Sequence, residues 1–144
     1  MSLPAYLSAH ISENTRYLTV AGDFELESGE QLRDVVIAYR TWGDIANAAD
    51  NAILVCHALT GSADVEDWWP NIIGAGRAFD PAHDFIVCAN ILGSCYGTTG
   101  PANLRPGAGV RYRADFPSIS VRDMVNLQRV LLDELGIDRL ELVT

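Results

Sequence analysis

The 144 residues carry a formal net charge of −9, from 19 acidic side chains against ten basic ones, every one of them arginine. An acidic chain of this kind is repelled by nucleic acid and by anionic membranes, so neither is expected as a partner. Hydrophobic residues at 49% and charged residues at 20% fit one globular domain with a real core, and no apolar run approaches the length of a membrane span.

The N-terminal "MSLPAYLSAHISENTRYL" has neither a basic start nor a continuous apolar segment, so no secretory signal is expected. Next, "FELESGEQLRDVVIAYRTWG" holds two alternating stretches joined at Ser28-Gly29-Glu30, the pattern of an antiparallel hairpin at a sheet edge. "NAILVCHA" differs, because Ile53, Leu54, Val55 and Cys56 are consecutive apolar residues, as are those from Phe85 to Val87 and on to Ala89 in "DFIVCANIL". Such runs suit strands buried on both faces of a parallel sheet. Between them "DVEDWW" places Trp68 and Trp69 after an acidic run. They read first as a packing anchor, and alternatively as a wall of a site entrance.

After the second run, "GSCYGTTGPANLRPGAGVRYRADFPSI" is long and rich in Gly and Pro, which marks a functional or disordered loop. "GTTGP" is not a phosphate loop, since no lysine follows it. From Gly93 to Arg122 four arginines face the single acid Asp115, a local charge of +3 that leaves −12 on the rest. "SVRDMVNLQRVLLDELGI" then gives a helix: Ser120 and Asp123 form a capping box and Gly136 stands at the C-terminal stop. Its apolar face is read as Val121, Met124, Val125, Leu131, Leu132 and Leu135. "LELVT" begins another strand, with Leu140, Leu142 and Val143 expected to be buried. Strand–helix–strand order makes the class α/β with a mostly parallel sheet and an N-terminal antiparallel hairpin.

Cys56, Cys88 and Cys95 are odd in number and lack CxxC spacing, so they read as small buried hydrophobes of a reducing compartment rather than as disulfides or metal ligands. In sheets of this class ligands bind beyond the carboxyl ends of the strands, which selects two turns, "HALTGS" and "GSCYGTTGP". A His-small-apolar-polar-Gly turn leaving a central strand can aim a backbone N–H at an oxyanion, and the donor would be Leu59. On spacing alone the plainer reading is a strand end whose His57 only ties neighbouring loops together. Ala58, Thr60 and Gly61 of the first turn, with Thr98 and Thr99 of the second, are the candidate substrate-binding positions. Arg105, Arg111 and Arg113 could meet the phosphates of a ligand at the site mouth, although a solvated loop is the plainer reading.

Taken together, "HALTGS", "WWPNIIGAGRAFDPAHDFIVCANILG", "GSCYGTTGP" and "FPSISVRDMVNLQRVLLDELGI" resemble the homoserine O-acetyltransferase family of α/β-hydrolase-fold acyltransferases, from about Tyr39 to Thr144. The resemblance implies acetyl transfer from acetyl-CoA to the hydroxyl of L-homoserine through a serine acyl-enzyme, in methionine biosynthesis. It implies no bound cofactor or metal, acetyl-CoA as co-substrate, a cytoplasmic location and a homodimer as the full-length protein. Succinyl transfer to homoserine or serine, and ester hydrolysis, are the neighbouring chemistries.

In that family the strand matching "LELVT" runs into a Gly-Gly-Ser-x-Gly-Gly nucleophile elbow. Residues 1–144 are therefore expected to be the N-terminal portion of one α/β-hydrolase domain, with nucleophile, acid, histidine and lid beyond Thr144. No internal substitute is expected. His57 is needed in the oxyanion turn, His83 precedes a strand at the far end of the sheet, and His10 lies in an N-terminal arm. Ser62 and Ser94 lack a G-x-S-x-G context, and Cys95 has no histidine that can be placed beside it. The family's strand order would set "LELVT" beside "NAILVCHA" with an unpaired outer edge.

Overall fold

The computed structural model describes residues 11–144; His10 lies outside the described residues. In chain order the strands are β1 (Arg16–Thr19), β2 (Phe24–Glu25), β3 (Gln31–Leu32), β4 (Val36–Trp42), β5 (Ala52–Val55), β6 (Phe85–Ala89) and β7 (Leu142–Val143). The helices are α1 (Ala48–Asn51), α2 (Val65–Trp68) and α3 (Val121–Glu134). Five strands form one sheet in the order β1-β4-β6-β5-β7. β1, β4 and β6 are antiparallel neighbours, whereas β6, β5 and β7 run parallel.

β5 and β6 are buried along their whole length, as their consecutive apolar residues require. Alternate residues serve opposite faces. Leu54, Val87 and Ala89 join the cluster under α3, while Ile53, Val55, Ile86 and Cys88 join Ala63, Val65 and Phe79 on the other side. The sheet is thus covered by a helix on one face and by the β5–β6 connection on the other.

The expected hairpin forms, with Phe24 opposite Leu32, but as a separate two-stranded sheet rather than an edge of the main one. The edge role falls to β1, whose Leu18 pairs with Ile37 of β4. The hairpin instead packs Phe24, Leu26 and Leu32 into the cluster that also holds Leu127 and Leu131 of α3.

α3 starts and stops where the sequence says it should. Ser120 Oγ accepts from the Asp123 amide at 3.1 Å, and Asp123 returns the bond to the Ser120 amide at 2.7 Å. The other Asp123 oxygen accepts from the Glu27 amide at 2.8 Å, so the cap also fastens the hairpin to the helix. At the far end Gly136, at φ +71°, lets the Ile137 amide reach Leu132 O and its own amide reach Asp133 O, a Schellman stop.

The buried stripe of α3 is Leu127, Leu131 and Leu132, with Met124, Val130 and Leu135 partly covered. Val121 and Val125 were expected there and are instead 75% and 56% exposed. At about 100° per residue Val125 stands roughly 200° from Leu127, so the two cannot share a face. Burying side chains of leucine size stabilises by about 1.5–3 kcal/mol each, which explains why the leucine stripe sets the docking angle.

β7 lies beside β5, as the resembled fold requires, with Ile53 opposite Leu142. Its side chains depart from expectation: Leu142 and Val143 are exposed, because no described element covers that edge of the sheet. No helix among the described residues is long and apolar enough to cross a membrane.

Candidate functional site

β5 and β6 run parallel and end side by side, so the turns following Val55 and Ala89 emerge at the same edge of the sheet. The two turns flank an open cleft of about 330 Å³ lined by Ser12, Thr60, Gly61, Asp64, Trp68 and Tyr96 among others. Thr60 and Gly61 of the first turn thus meet Tyr96 of the second, as the class of sheet predicts.

The first turn is tight. The Gly61 amide donates to Ala58 O at 2.8 Å, and His57 Nδ1 lies 2.8 Å from the same oxygen. A Cβ on Gly61 would sit 3.2 Å from both Ala58 O and His57 Cβ, closer than most side chains are found, so a glycine suits the turn. The Leu59 side chain is 98% exposed, and its amide has no acceptor among the described residues. A main-chain N–H left free at the end of a central strand is what an oxyanion donor needs.

Asn90, directly after β6, holds the two turns together. Its Oδ1 accepts from the Ala63 amide at 2.8 Å, and its Nδ2 donates to Tyr96 O at 2.7 Å. Asn90 is 3% exposed, so both ends of its amide are committed. Sequence reasoning passed over it inside "FIVCANIL"; the signal was a lone polar residue closing an apolar run.

Beneath the cleft, Arg40 of β4 donates to Asp64 at 2.9 Å and lies 3.2 Å from Glu66, with its guanidinium 4.6 Å from the Trp42 ring centre. Arg40 and Asp64 are both buried, while Glu66 reaches solvent. A charge pair removed from water is held only when its geometry is good. Trp68 carries both of its readings: it donates from Nε1 to Ser62 O, packs on the Val55–Ile86 cluster, and lines the cleft. Trp69 stacks on Trp68 at 5.9 Å and meets Phe79 edge-on.

The other sequence candidates fall elsewhere. Thr98 is fully buried, and its hydroxyl donates to Asn90 O at 2.6 Å while accepting from the Ala38 amide. The Thr99 hydroxyl accepts from the Val36 amide at 2.9 Å. Both hydroxyls brace the second turn against β4. Gly97 fits the same reading, since at φ +98° an added Cβ would come within 2.9 Å of Ala38 Cβ.

Neither Arg111 nor Arg113 lines the cleft. The Arg111 guanidinium donates to Ala102 O within its own loop, whereas Arg113 is exposed at φ +52°. Arg105 pairs with Asp115 at 3.2 Å over the Tyr112 ring.

Ser62 Oγ accepts from the Asp64 amide, a turn-forming role. His83 sits before β6, at the opposite end of the sheet from Asn90. Cys88 is buried, as read from the sequence, whereas Cys56 and Cys95 are exposed, which corrects the buried reading for those two. Burial pushes the Cys88 thiol up to about 12, reinforced by the neighbouring Cys56 and Asp64, against the opposing bond from the His57 amide. Partial burial also raises Cys56. Among the described residues no group of three His, Cys, Asp or Glu side chains is placed to hold a metal ion.

No family model matches the chain. Curated relatives do. Over 133 residues, 92% of this chain, it is 54% identical to the homoserine O-acetyltransferase of Trichormus variabilis. The chain spans somewhat over a third of the length of the curated relatives it matches, 37% in that case. Among solved structures, an acetylester hydrolase from Corynebacterium glutamicum superposes with a TM-score of 0.80 at 29% identity, over 99% of this chain and 40% of its own. The homoserine O-acetyltransferase of Bacillus anthracis gives 0.76 at 28%, over 90% and 38%. The resemblance read from the sequence is thereby borne out, and the fold is that of the α/β hydrolases.

Proposed function

We propose that these residues form the N-terminal portion of a homoserine O-acetyltransferase. The observation that carries this reading is the 54% identity to such an enzyme over nearly the whole chain, with the cleft-forming turns inside the matched region. In this reading acetyl-CoA acylates a serine outside residues 1–144, and the homoserine hydroxyl then takes the acetyl group. The Leu59 amide is the donor that stabilises the oxyanion in both steps, in the turn after β5, where it has no acceptor among the described residues. Ala58, Thr60 and Gly61 shape the acyl-side wall.

No bound cofactor is invoked; the partners are two small molecules, and the complete protein is taken to be a cytoplasmic homodimer. The residues described supply a donor and a wall but no nucleophile, since no serine here has a G-x-S-x-G context. The 144 residues on their own are therefore proposed to be inactive.

The likeness to an acetylester hydrolase favours a second reading, in which water rather than homoserine reaches the acyl-enzyme. The two are separated by one assay on the complete polypeptide encoded by the gene. Free CoA is measured with acetyl-CoA as donor and homoserine, serine or water as acceptor, then repeated with succinyl-CoA. Homoserine-dependent release from acetyl-CoA is expected. Release that is the same with water alone overturns the transferase reading.

A further inference from the structure

We infer that His57 is a positioning residue that aims the Leu59 amide, an assignment that rests on the acyl-transfer reading above. The peptide between Ala58 and Leu59 is trans, so its C=O and N–H point in opposite directions. Whatever fixes the Ala58 carbonyl therefore fixes the Leu59 N–H. Two donors hold that carbonyl: the Gly61 amide at 2.8 Å and His57 Nδ1 at 2.8 Å. A carbonyl oxygen only accepts, so Nδ1 carries the proton in this contact.

Among the described residues no other hydrogen bond restrains the peptide plane. The Leu59 side chain is 98% exposed, and the amides of Ala58, Leu59 and Thr60 have no acceptors among the described residues. The His57 ring, by contrast, cannot drift. It is 7% exposed and stands two positions after Val55, the last residue of β5, whose residues are all buried.

The rest of the imidazole is unusual for a buried group. Nε2 is inaccessible and has no hydrogen-bond partner among the described residues. Buried polar atoms are normally satisfied, and leaving one bare costs free energy. A ring whose only bond among the described residues is the one that orients the Ala58–Leu59 peptide is placed for that bond. An apolar residue would fill the same space without the cost of the bare nitrogen, but it could not hold the carbonyl.

The geometry specifies which ring atom matters, and that makes the test sharp. The amide nitrogen of asparagine falls near the Nδ1 position, and that of glutamine near Nε2. In the complete protein, kcat and KM are measured for hydrolysis of p-nitrophenyl acetate and for acetyl-CoA with homoserine, alongside melting temperature. His57→Ala and His57→Gln are expected to lose about 100-fold in kcat, the scale of removing one oxyanion donor, with KM changed by less than about threefold. His57→Asn is expected to stay within about tenfold of the parent.

If His57→Ala keeps kcat within about threefold, or His57→Gln rescues better than His57→Asn, the assignment is overturned. If all three variants melt below the assay temperature, the ring is holding the fold and the assignment is likewise overturned. Failure of the parent itself to turn over either substrate would sink the acyl-transfer reading, which is a separate result.

Discussion

Arg40 and Asp64, 24 positions apart in sequence, meet at 2.9 Å beneath the cleft with almost no exposure to water. Removing one partner leaves a buried charge unpaired, a loss of about 3–5 kcal/mol. We expect Asp64→Ala to destabilise toward the low end of that range, because Glu66 at 3.2 Å keeps part of the compensation. Glu66→Gln, half exposed, should cost less than about 1 kcal/mol. Urea unfolding of the two variants checks the ordering, and equal midpoints would show that the pair contributes little.

Asp123 makes acid sensitivity predictable. Its desolvation works upward, but bonds from the Ser120 and Glu27 amides and the Ser120 hydroxyl prevail and hold the carboxyl below its ordinary value. A depressed folded-state pKa contributes stability that is complete above the unfolded pKa, near 4, and disappears as pH falls through the folded value. Asp123→Ala should cost about 1–2 kcal/mol at pH 7, the scale of a lost cap. The gap between parent and variant should narrow as pH falls below about 4. A gap that is constant across that range would mean the carboxylate charge is irrelevant.

The cysteines should react in a fixed order. Cys95 is exposed, the Cys56 thiol is raised by partial burial, and Cys88 is buried with its thiol pushed up to about 12. Since the thiolate is the reactive form, iodoacetamide at pH 8 should label Cys95 first, Cys56 more slowly, and Cys88 only after denaturation. Peptide mass spectrometry over a labelling time course reads this directly. Early modification of Cys88 would contradict the packing of β6.

The two loop arginines should now behave differently. Arg113→Ala, which removes an exposed guanidinium with no ion-pair partner among the described residues, is expected to raise KM for the CoA donor severalfold more than for homoserine. The effect should shrink with added salt, as exposed charge contacts are screened. Arg111→Ala removes a bond to Ala102 O and should lower loop stability instead. Unchanged donor kinetics in Arg113→Ala would leave this arginine a solvated loop charge.

What the sequence disclosed follows from how local each cause is. β5 and β6 were legible because consecutive apolar residues have few other uses, and α3 because its cap and stop lie within its own eighteen residues. The two turns were legible as strand ends. The bracing bonds of Thr98 and Thr99 were not legible because their partners, Ala38 and Val36, lie about sixty residues earlier on β4. The Arg40–Asp64 pair joins residues 24 positions apart and was missed likewise, whereas Asn90 had a local signal, the polar residue closing an apolar run. Val121 and Val125 were misplaced because hydrophobicity alone does not give the angle at which Leu127 and Leu131 seat the helix.

The bonds at Thr144 have a consequence in time. Its amide reaches Leu54 O at 3.0 Å and its carbonyl accepts from the Cys56 amide at 2.6 Å, immediately before His57. The strand that presents the oxyanion turn is therefore locked in register on that side by a residue synthesised some ninety positions later. Contacts so distant in sequence form slowly, since a long loop must close first. While the nascent chain emerges, β5 can align against β6 long before β7 exists to grip its other edge. The turn would thus acquire its final stiffness only as one of the last events of this region's assembly, leaving Leu54 and Cys56 open to wrong partners until then.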